Sequence, residues 1–424
     1  MADLLVRGGT VVDVTGSRRA DVLVSDGRIA AVGDGLDARE VLDAGGCIVA
    51  PGLVDLHTHL RQPGREEAET VETGARAAAL GGYTAVVAMP NTDPPLDTAA
   101  AVREVLDLGV KAVCDVRVAG AITKGRAGRE LAPLGEMADL GVRLFTDDGA
   151  GVQDGRLMRR ALEYASALGV TLAQHCEDSV LAAGGHMHEG AWSSRLGIPG
   201  MPAEAEEVMV ARDIALARLT GGRVHFLHLS TAGSVAAVRA AKAEGLDVTA
   251  EAAPHHFTLT DAAVASYDTV FKVNPPLRTP ADVEAVKAGL ADGTIDAIAT
   301  DHAPHAPEHK EVPFDEARPG MLGLETALSL ALTELELPVT AVLALLSWQP
   351  ARIAGIDSSH GGPLGPGRPA NLCVFDASTS WVVDPAALAS RSRNTPYAGR
   401  AMTGKVRHTV LRGEPVVVDG EAQR

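Results

Sequence analysis

The sequence predicts an α/β fold: a (β/α)8 TIM-type barrel with a small β-sandwich domain built from both chain termini. Three observations predict it. Between about residues 51 and 360, apolar strand-like runs alternate with Ala/Leu-rich helical runs, and eight strands can be counted. The two ends of the chain read instead as short strands and turns. Polar, mostly metal-competent groups collect where those eight strands end, which is where barrels of this class carry their active sites.

The N-terminal strands are Leu4-Leu5-Val6-Arg7, Thr10-Val11-Val12-Asp13, Asp21-Val22-Leu23-Val24 and Ile29-Ala30-Ala31-Val32. Asp26-Gly27 between the last two is a hairpin signal, since both residues tolerate positive φ. Strands resume at 370–376, 405–413 and 415–419, and the Gly/Pro run Gly361-Gly362-Pro363-Leu364-Gly365-Pro366-Gly367 reads as the return boundary. The expected division is a discontinuous β domain at 1–50 and 361–424 around a metal-dependent catalytic barrel at 51–360.

The barrel strands are expected at 54–61, 85–89, 116–122, 142–146, 171–174, 223–229, 247–252 and 295–300. Strand 1 ends in His57, His59 and Arg61, which alternate with Val54, Leu56, Thr58 and Leu60. The expectation is that Asp55, His57, His59 and Arg61 share one face and the apolar set the other. Two imidazoles about 7 Å apart along one face can close on a single ion. Strand 2 leads to Pro90-Asn91-Thr92, strand 3 to Thr123-Lys124-Gly125 and strand 4 to Asp147-Asp148-Gly149. Strand 5 leads to His175-Cys176-Glu177-Asp178, strand 6 carries His225 and His228, strand 7 leads to His255-His256 and strand 8 to Asp301-His302-Ala303-Pro304-His305.

Composition narrows the function classes. The apolar share of 46% supports a large core, while aromatics at 3% leave few platforms for stacking bases. With 38 basic and 55 acidic residues the net charge is −17, which argues against nucleic acid or an anionic membrane as partner. Cys47, Cys114, Cys176 and Cys373 are scattered without a CxxC pair, so a disulfide framework or thiolate zinc site is not expected and a reducing compartment fits. No signal peptide or membrane-spanning run is read, and a cytoplasmic location is the expectation.

Imidazoles and carboxylates without thiolates suit Zn²⁺ or a similar divalent ion. Two histidines, a bridging carboxylate, two more histidines and a final aspartate are enough for two ions, which generate hydroxide near neutral pH and polarise a carbonyl. Asp301 can then shuttle a proton. Such a set does hydrolysis, or its reverse, at an amide or ester carbon.

The segments carrying this set are Asp55-Leu56-His57-Thr58-His59-Leu60-Arg61-Gln62-Pro63-Gly64, Ala88-Met89-Pro90-Asn91-Thr92, Phe145-Thr146-Asp147-Asp148-Gly149, His175-Cys176-Glu177-Asp178, Asn274-Pro275-Pro276-Leu277-Arg278 and Thr300-Asp301-His302-Ala303-Pro304-His305. Over essentially the whole chain they resemble the amidohydrolase superfamily and, within it, the type I bacterial dihydroorotases. The resemblance implies reversible cyclisation of N-carbamoyl-L-aspartate to L-dihydroorotate in pyrimidine biosynthesis, with two Zn²⁺ per subunit, a metal-activated hydroxide and Asp301 as general acid and base. It implies His57, His59 and Asp301 around one ion, His175 and His228 around the other, and Asp148 between them, with Asp147 the rival bridge and Lys111 and Lys124 weak ones. It implies substrate contacts from His59, Arg61, Asn91, Asn274, His305 and the Pro319-Gly320 backbone, with Arg61, Asn91 and His305 gripping the carboxylate. A homo-oligomer is expected, and association with aspartate carbamoyltransferase is open.

The remaining histidines receive lesser roles. His225, three residues from His228, is expected to face the other way and to pack or support a ligand. His255 and His256 read as structural, His302 as a residue that could orient Asp301, and His186, His188 and His309 as solvated. The competing functions are another cyclic amidase (hydantoinase, dihydropyrimidinase or allantoinase) and a non-catalytic scaffold for aspartate carbamoyltransferase. Arg61 and Asn91 favour a substrate bearing a ring carboxylate, and the intact ligand set disfavours the scaffold.

Overall fold

The computed structural model describes residues 3–423 and is α/β throughout. The terminal strands form two sheets. Leu4–Arg7 lies between Asp21–Ser25 and Glu40–Asp43, with Arg28–Gly33 at the edge. The Asp21–Ser25 and Arg28–Gly33 strands form the expected hairpin, and Asp26 (φ 52°) and Gly27 (φ 73°) both take the left-handed conformation its turn needs. The second sheet has seven strands and joins both chain ends. Leu372–Val382 runs antiparallel to Ile48–Pro51, pairing Val374 with Val49. Leu4, Val22, Val24, Val49, Val374 and Val410, drawn from both sheets, share one buried apolar cluster. Burial of each such side chain stabilises the fold by about 1.5–3 kcal/mol before conformational entropy is set against it.

Eight parallel strands lie in the middle of the chain. They are β1 (Leu53–Thr58), β2 (Tyr83–Ala88), β3 (Asp115–Val118), β4 (Leu144–Phe145), β5 (Thr171–Gln174), β6 (Val224–Phe226), β7 (Val248–Ala252) and β8 (Ala297–Ile298). They pair in sequence order within two sheets, β1 to β3 and β4 to β8. Single parallel bridges, Gly120 to Phe145 and Thr58 to His302, link one sheet to the other at both edges.

The helices between them are punctuated by their sequence. Pro280–Asp292 starts at a Thr279/Asp282 capping box with proline in its first turn and stops at Gly293 (φ 79°). Gly155–Leu168 is capped by the Asp154 carboxylate and ends at Gly169 (φ 68°). Val71–Leu80 stops at Gly81-Gly82. Gly82 is also a close-approach site, because a Cβ there would lie 2.5 Å from the Cys373 sulfur. The apolar faces of these helices join the outward side chains of the strands in one core that also takes in Phe375 and Val406 of the terminal sheet.

Most strands are shorter than the sequence suggests, chiefly at their C-terminal ends. β1 stops at Thr58, so His59 and Arg61 are not on its face; Arg61 turns into the left-handed region (φ 60°). His228 (φ 31°) and Asp301 (φ 46°) do the same beyond β6 and β8. A non-glycine residue in that region carries local strain. All three side chains line one cavity, so the chain leaves the ladder at the positions where side chains must converge.

Candidate metal centre and active site

His57, the last residue but one of β1, is fully buried, with Asp148 three residues past β4, His175 directly after β5, His228 two residues past β6 and Asp301 three past β8. His57, His59 and Asp301 present ligand atoms within 4.8 Å of one another, as do His57, Asp148 and His228. The spacings are those of a coordination shell. Four ligands about 2.05 Å from a tetrahedral zinc stand about 3.3 Å apart. His57 Nε2 lies 3.4 Å from Asp148 Oδ1 and 3.5 Å from Asp301 Oδ1, and His59 Nε2 lies 3.1 Å from Asp301 Oδ1. His175 Nδ1 lies 3.6 Å from Asp148 Oδ1 and 2.9 Å from His228 Nε2. His57 Nε2 is buried without a hydrogen-bond partner among the described residues, a costly state unless a cation fills it. The donor set and geometry therefore fit divalent metal.

Electrostatics supports the same placement. Burial alone would raise the Asp148 carboxyl, but His57, His175 and His228 around it hold it well below the usual carboxylate range. Asp147 is occupied elsewhere: its Oδ1 accepts from the Ile122 and Thr123 amides at 2.9 and 3.0 Å, and its Oδ2 from the Thr123 hydroxyl. Of the two aspartates, only Asp148 faces the imidazoles. Lys124 is exposed and pairs with Glu130, and Lys111 is exposed.

The sequence reading missed Glu251, fully buried on β7. Its Oε1 accepts from His57 Nδ1 and its Oε2 from His225 Nε2, each at 2.9 Å, while His225 Nδ1 bonds Thr249 at 2.8 Å. Burial opposes its charge, yet His225 and His57 keep its carboxyl at about 2. Carboxylates behind metal-binding histidines fix ring orientation and tautomer. Glu251→Gln is expected to weaken metal binding about tenfold or more in a chelator competition, and an unchanged affinity would remove Glu251 from that role. His225 supports a ligand, as expected, but its separation from His228 does not carry it away from the site. The positive φ at His228 swings that ring to 5.2 Å from His57 while His225 reaches His57 through Glu251.

The rings abut a cavity of about 330 Å³ that His59, Arg61, Asn91, Asn274, His305, Pro319 and Gly320 line, so every substrate-contact candidate comes together. Arg61 is buried, with Nε donating to the Pro304 carbonyl at 3.1 Å. His305 Nε2 donates to the Pro319 carbonyl at 2.8 Å, and burial with Arg61 beside it lowers that imidazole to about 2, so it is neutral. Asn91 accepts from His59 Nδ1 at 2.9 Å and donates to Asp148 Oδ2 at 3.3 Å, so it also orients a candidate ligand. Gly320 (φ 136°) is required: a Cβ there would come within 2.7 Å of the Ala303 Cβ and 2.9 Å of His305 Nε2.

The 305–320 loop is strapped to the body by two buried lysines. Lys310 Nζ donates to the carbonyls of Thr269 (2.9 Å) and Lys272 (3.2 Å), and Lys272 Nζ to those of Phe314 (2.8 Å) and Asp315 (2.9 Å). Asn394, from the C-terminal part of the chain, accepts from the His305 amide and donates to the Ala303 and Gly320 carbonyls. Lys310→Met is expected to lower kcat/KM about tenfold, mainly through KM, because His305 and Gly320 lose their fixed position. Unaltered steady-state kinetics would show that the strap does not position them.

Two expectations need correction. His302 does not orient Asp301: its Nε2 faces Glu69 at 3.3 Å and its Nδ1 accepts from the Gly323 amide at 3.2 Å, because the backbone turn at Asp301 sends the neighbouring side chain outward. His188 is not solvated but buried, with Nδ1 accepting from Arg278 at 3.2 Å. His186 Nδ1 meets Lys272 at 3.3 Å, and His309 is partly buried. His255 and His256 are buried beside His228 and belong to neither ligand group. Burial raises the Cys176 thiol well above its ordinary value, which keeps it inert.

Comparison with known proteins adds three findings. A family model described as Dihydro-orotase-like matches residues 46–234. A dihydroorotase from Pelotomaculum thermopropionicum is 52% identical, the match covering 98% of this chain and 99% of the relative. One from Streptomyces coelicolor is 51% identical over 99% and 100%. Among solved structures, an L-hydantoinase (dihydropyrimidinase) from Arthrobacter aurescens superimposes with a TM-score of 0.90 at 27% identity, covering 100% of this chain and 98% of that one.

Proposed function

The chain belongs to the dihydroorotase family, and from that membership we infer that it interconverts N-carbamoyl-L-aspartate and L-dihydroorotate with the residues gathered around His57, Asp148 and Asp301. It is a hydrolase acting on a small cyclic amide. The observation that carries the substrate assignment is Arg61, a buried guanidinium lining the same cavity as the candidate ligands. A guanidinium pairs with a carboxylate through parallel hydrogen bonds, and dihydroorotate carries one on its ring.

The residues divide the work as follows. Arg61, Asn91 and His305 hold the carboxylate that survives the reaction. Asn274 and the Pro319-Gly320 backbone cover the ring. His57, His59 and Asp301 would hold one zinc, His175 and His228 a second, with Asp148 between them. Bound there, the ions supply an acidified water and polarise the amide carbonyl. In hydrolysis, water oxygen bonds to the ring carbonyl carbon as its C–N bond breaks, and Asp301 carries the water's proton to the departing nitrogen. In cyclisation the carbamoyl nitrogen attacks the side-chain carboxyl carbon, and Asp301 passes the proton lost by nitrogen to the leaving oxygen.

The proposal includes a closed (β/α)8 barrel at 51–360, supported by the two bridges between the sheets, and a β-sandwich domain at 1–50 and 361–424. It also includes a cytoplasmic homo-oligomer able to dock an aspartate carbamoyltransferase. No described helix is long and apolar enough to cross a membrane. The test is a substrate panel. The purified protein is expected to hydrolyse dihydroorotate at least about tenfold more efficiently than dihydrouracil or allantoin, as the loss of a charge-paired carboxylate requires. Preference for either neutral ring would replace this reading with a hydantoinase or allantoinase.

A further inference from the structure

Arg61 is not alone. Arg65 and Arg318 line the same cavity, and Arg126 reaches its edge, donating to the Asp148 carbonyl and lying beside cavity-lining Gly149. The guanidinium groups of Arg65 and Arg318 make no hydrogen bond or ion pair among the described residues, and Arg126 Nε is buried without a partner. The acids facing Arg65 are Asp93 and Glu67, both exposed. Burial lowers Arg65 from its ordinary value, and Arg318 and Arg126 lower it further, so the three sense one another's charge. This concentration of positive charge stands in a chain of net charge −17.

Arg61 suffices for the carboxylate common to both sides of the reaction. The two sides differ in charge: carbamoyl-aspartate carries two carboxylates at neutral pH, dihydroorotate one. We propose that Arg65, Arg126 and Arg318 form a cationic rim that binds the dianionic substrate selectively, through charges that take no part in the chemistry. The rim offsets the repulsion that an acidic protein imposes on a dianion and focuses the field at the cavity mouth. Its effect scales with substrate charge, so it acts about twice as strongly, in free energy, on carbamoyl-aspartate as on dihydroorotate. The proposal rests on the dihydroorotase reading.

The test is equilibrium binding of carbamoyl-aspartate and of dihydroorotate across ionic strength in the Asp301→Asn background, which does not interconvert them, with and without Arg65→Gln, Arg318→Gln and their combination, beside steady-state kinetics of the same substitutions in the active enzyme. Arg103→Gln, an exposed change on the Ala99–Gly109 helix, controls for net charge. At low salt the double substitution is expected to weaken carbamoyl-aspartate binding about tenfold and dihydroorotate binding about threefold. In the active enzyme kcat/KM then falls by one common factor in both directions, because the equilibrium constant of the reaction ties the two values together. Near 1 M salt, where the screening length falls to about 3 Å, the differences are expected to vanish. Equal losses of affinity for the two ligands, losses that persist in high salt, or an equal effect of Arg103→Gln would overturn the rim. If the native enzyme itself fails to cyclise carbamoyl-aspartate, the dihydroorotase reading fails; if it cyclises normally and the variants behave as native, only the rim does.

Discussion

Asp301→Asn is expected to lower kcat in both directions by about a thousandfold or more, while the bound metal content stays near that of the native protein. The magnitude is that of removing a positioned general acid–base group. The carboxylate sits 3.1 Å from His59 Nε2 and 3.5 Å from His57 Nε2 and is buried, so no bulk base can replace it. The amide keeps an oxygen for coordination and loses only the ability to take up a proton. Loss in both directions follows because one group handles the proton each way. Metal analysis beside the rate separates the two roles: lost metal assigns Asp301 mainly to coordination, and retained activity removes it from proton transfer.

Arg61→Met is expected to lower kcat/KM for dihydroorotate and carbamoyl-aspartate by about a thousandfold, in the range found when one partner of a buried charge pair is truncated. Hydrolysis of dihydrouracil, which has no carboxylate, is expected to change little, so the ratio between the two rings collapses. Methionine retains the apolar stem, and the backbone at φ 60° is as strained for it as for arginine. Arg61→Lys is expected to rescue only a small part, since the ammonium cannot reproduce the fork that donates both to Pro304 and to substrate. A variant that loses both rings equally would mean that Arg61 supports the loop through Pro304 and does not read the carboxylate.

The candidate ligands were legible because they stand at strand ends, where an imidazole or carboxylate has little packing reason to recur eight times. Their convergence was not legible in detail. Alternation along 54–61 puts His57, His59 and Arg61 on one strand face, whereas β1 ends at Thr58 and Arg61 is delivered by a left-handed turn. A period-two reading assumes an uninterrupted strand. Glu251 escaped notice because a lone glutamate in a strand reads as a solvent-facing side chain. Its signal was Thr249, two residues before it on the same face of a buried strand, paired in register with His225. His302 shows the converse, since adjacency to Asp301 suggested a partnership that Glu69, far away in sequence, has taken. The lysine strap and Asn394 join segments that only the fold brings together, and nothing local to either segment announces them.

Metal-dependent cyclisation of carbamoyl-aspartate tests the central claim most directly. The purified protein is stripped with a chelator, assayed, and titrated with Zn²⁺ while dihydroorotate formation is followed. Activity is expected to be lost on stripping and to return with added zinc until about two ions per chain are bound, as the proposed two-ion centre requires. Full cyclising activity in the stripped protein, or none at any zinc occupancy, would contradict it.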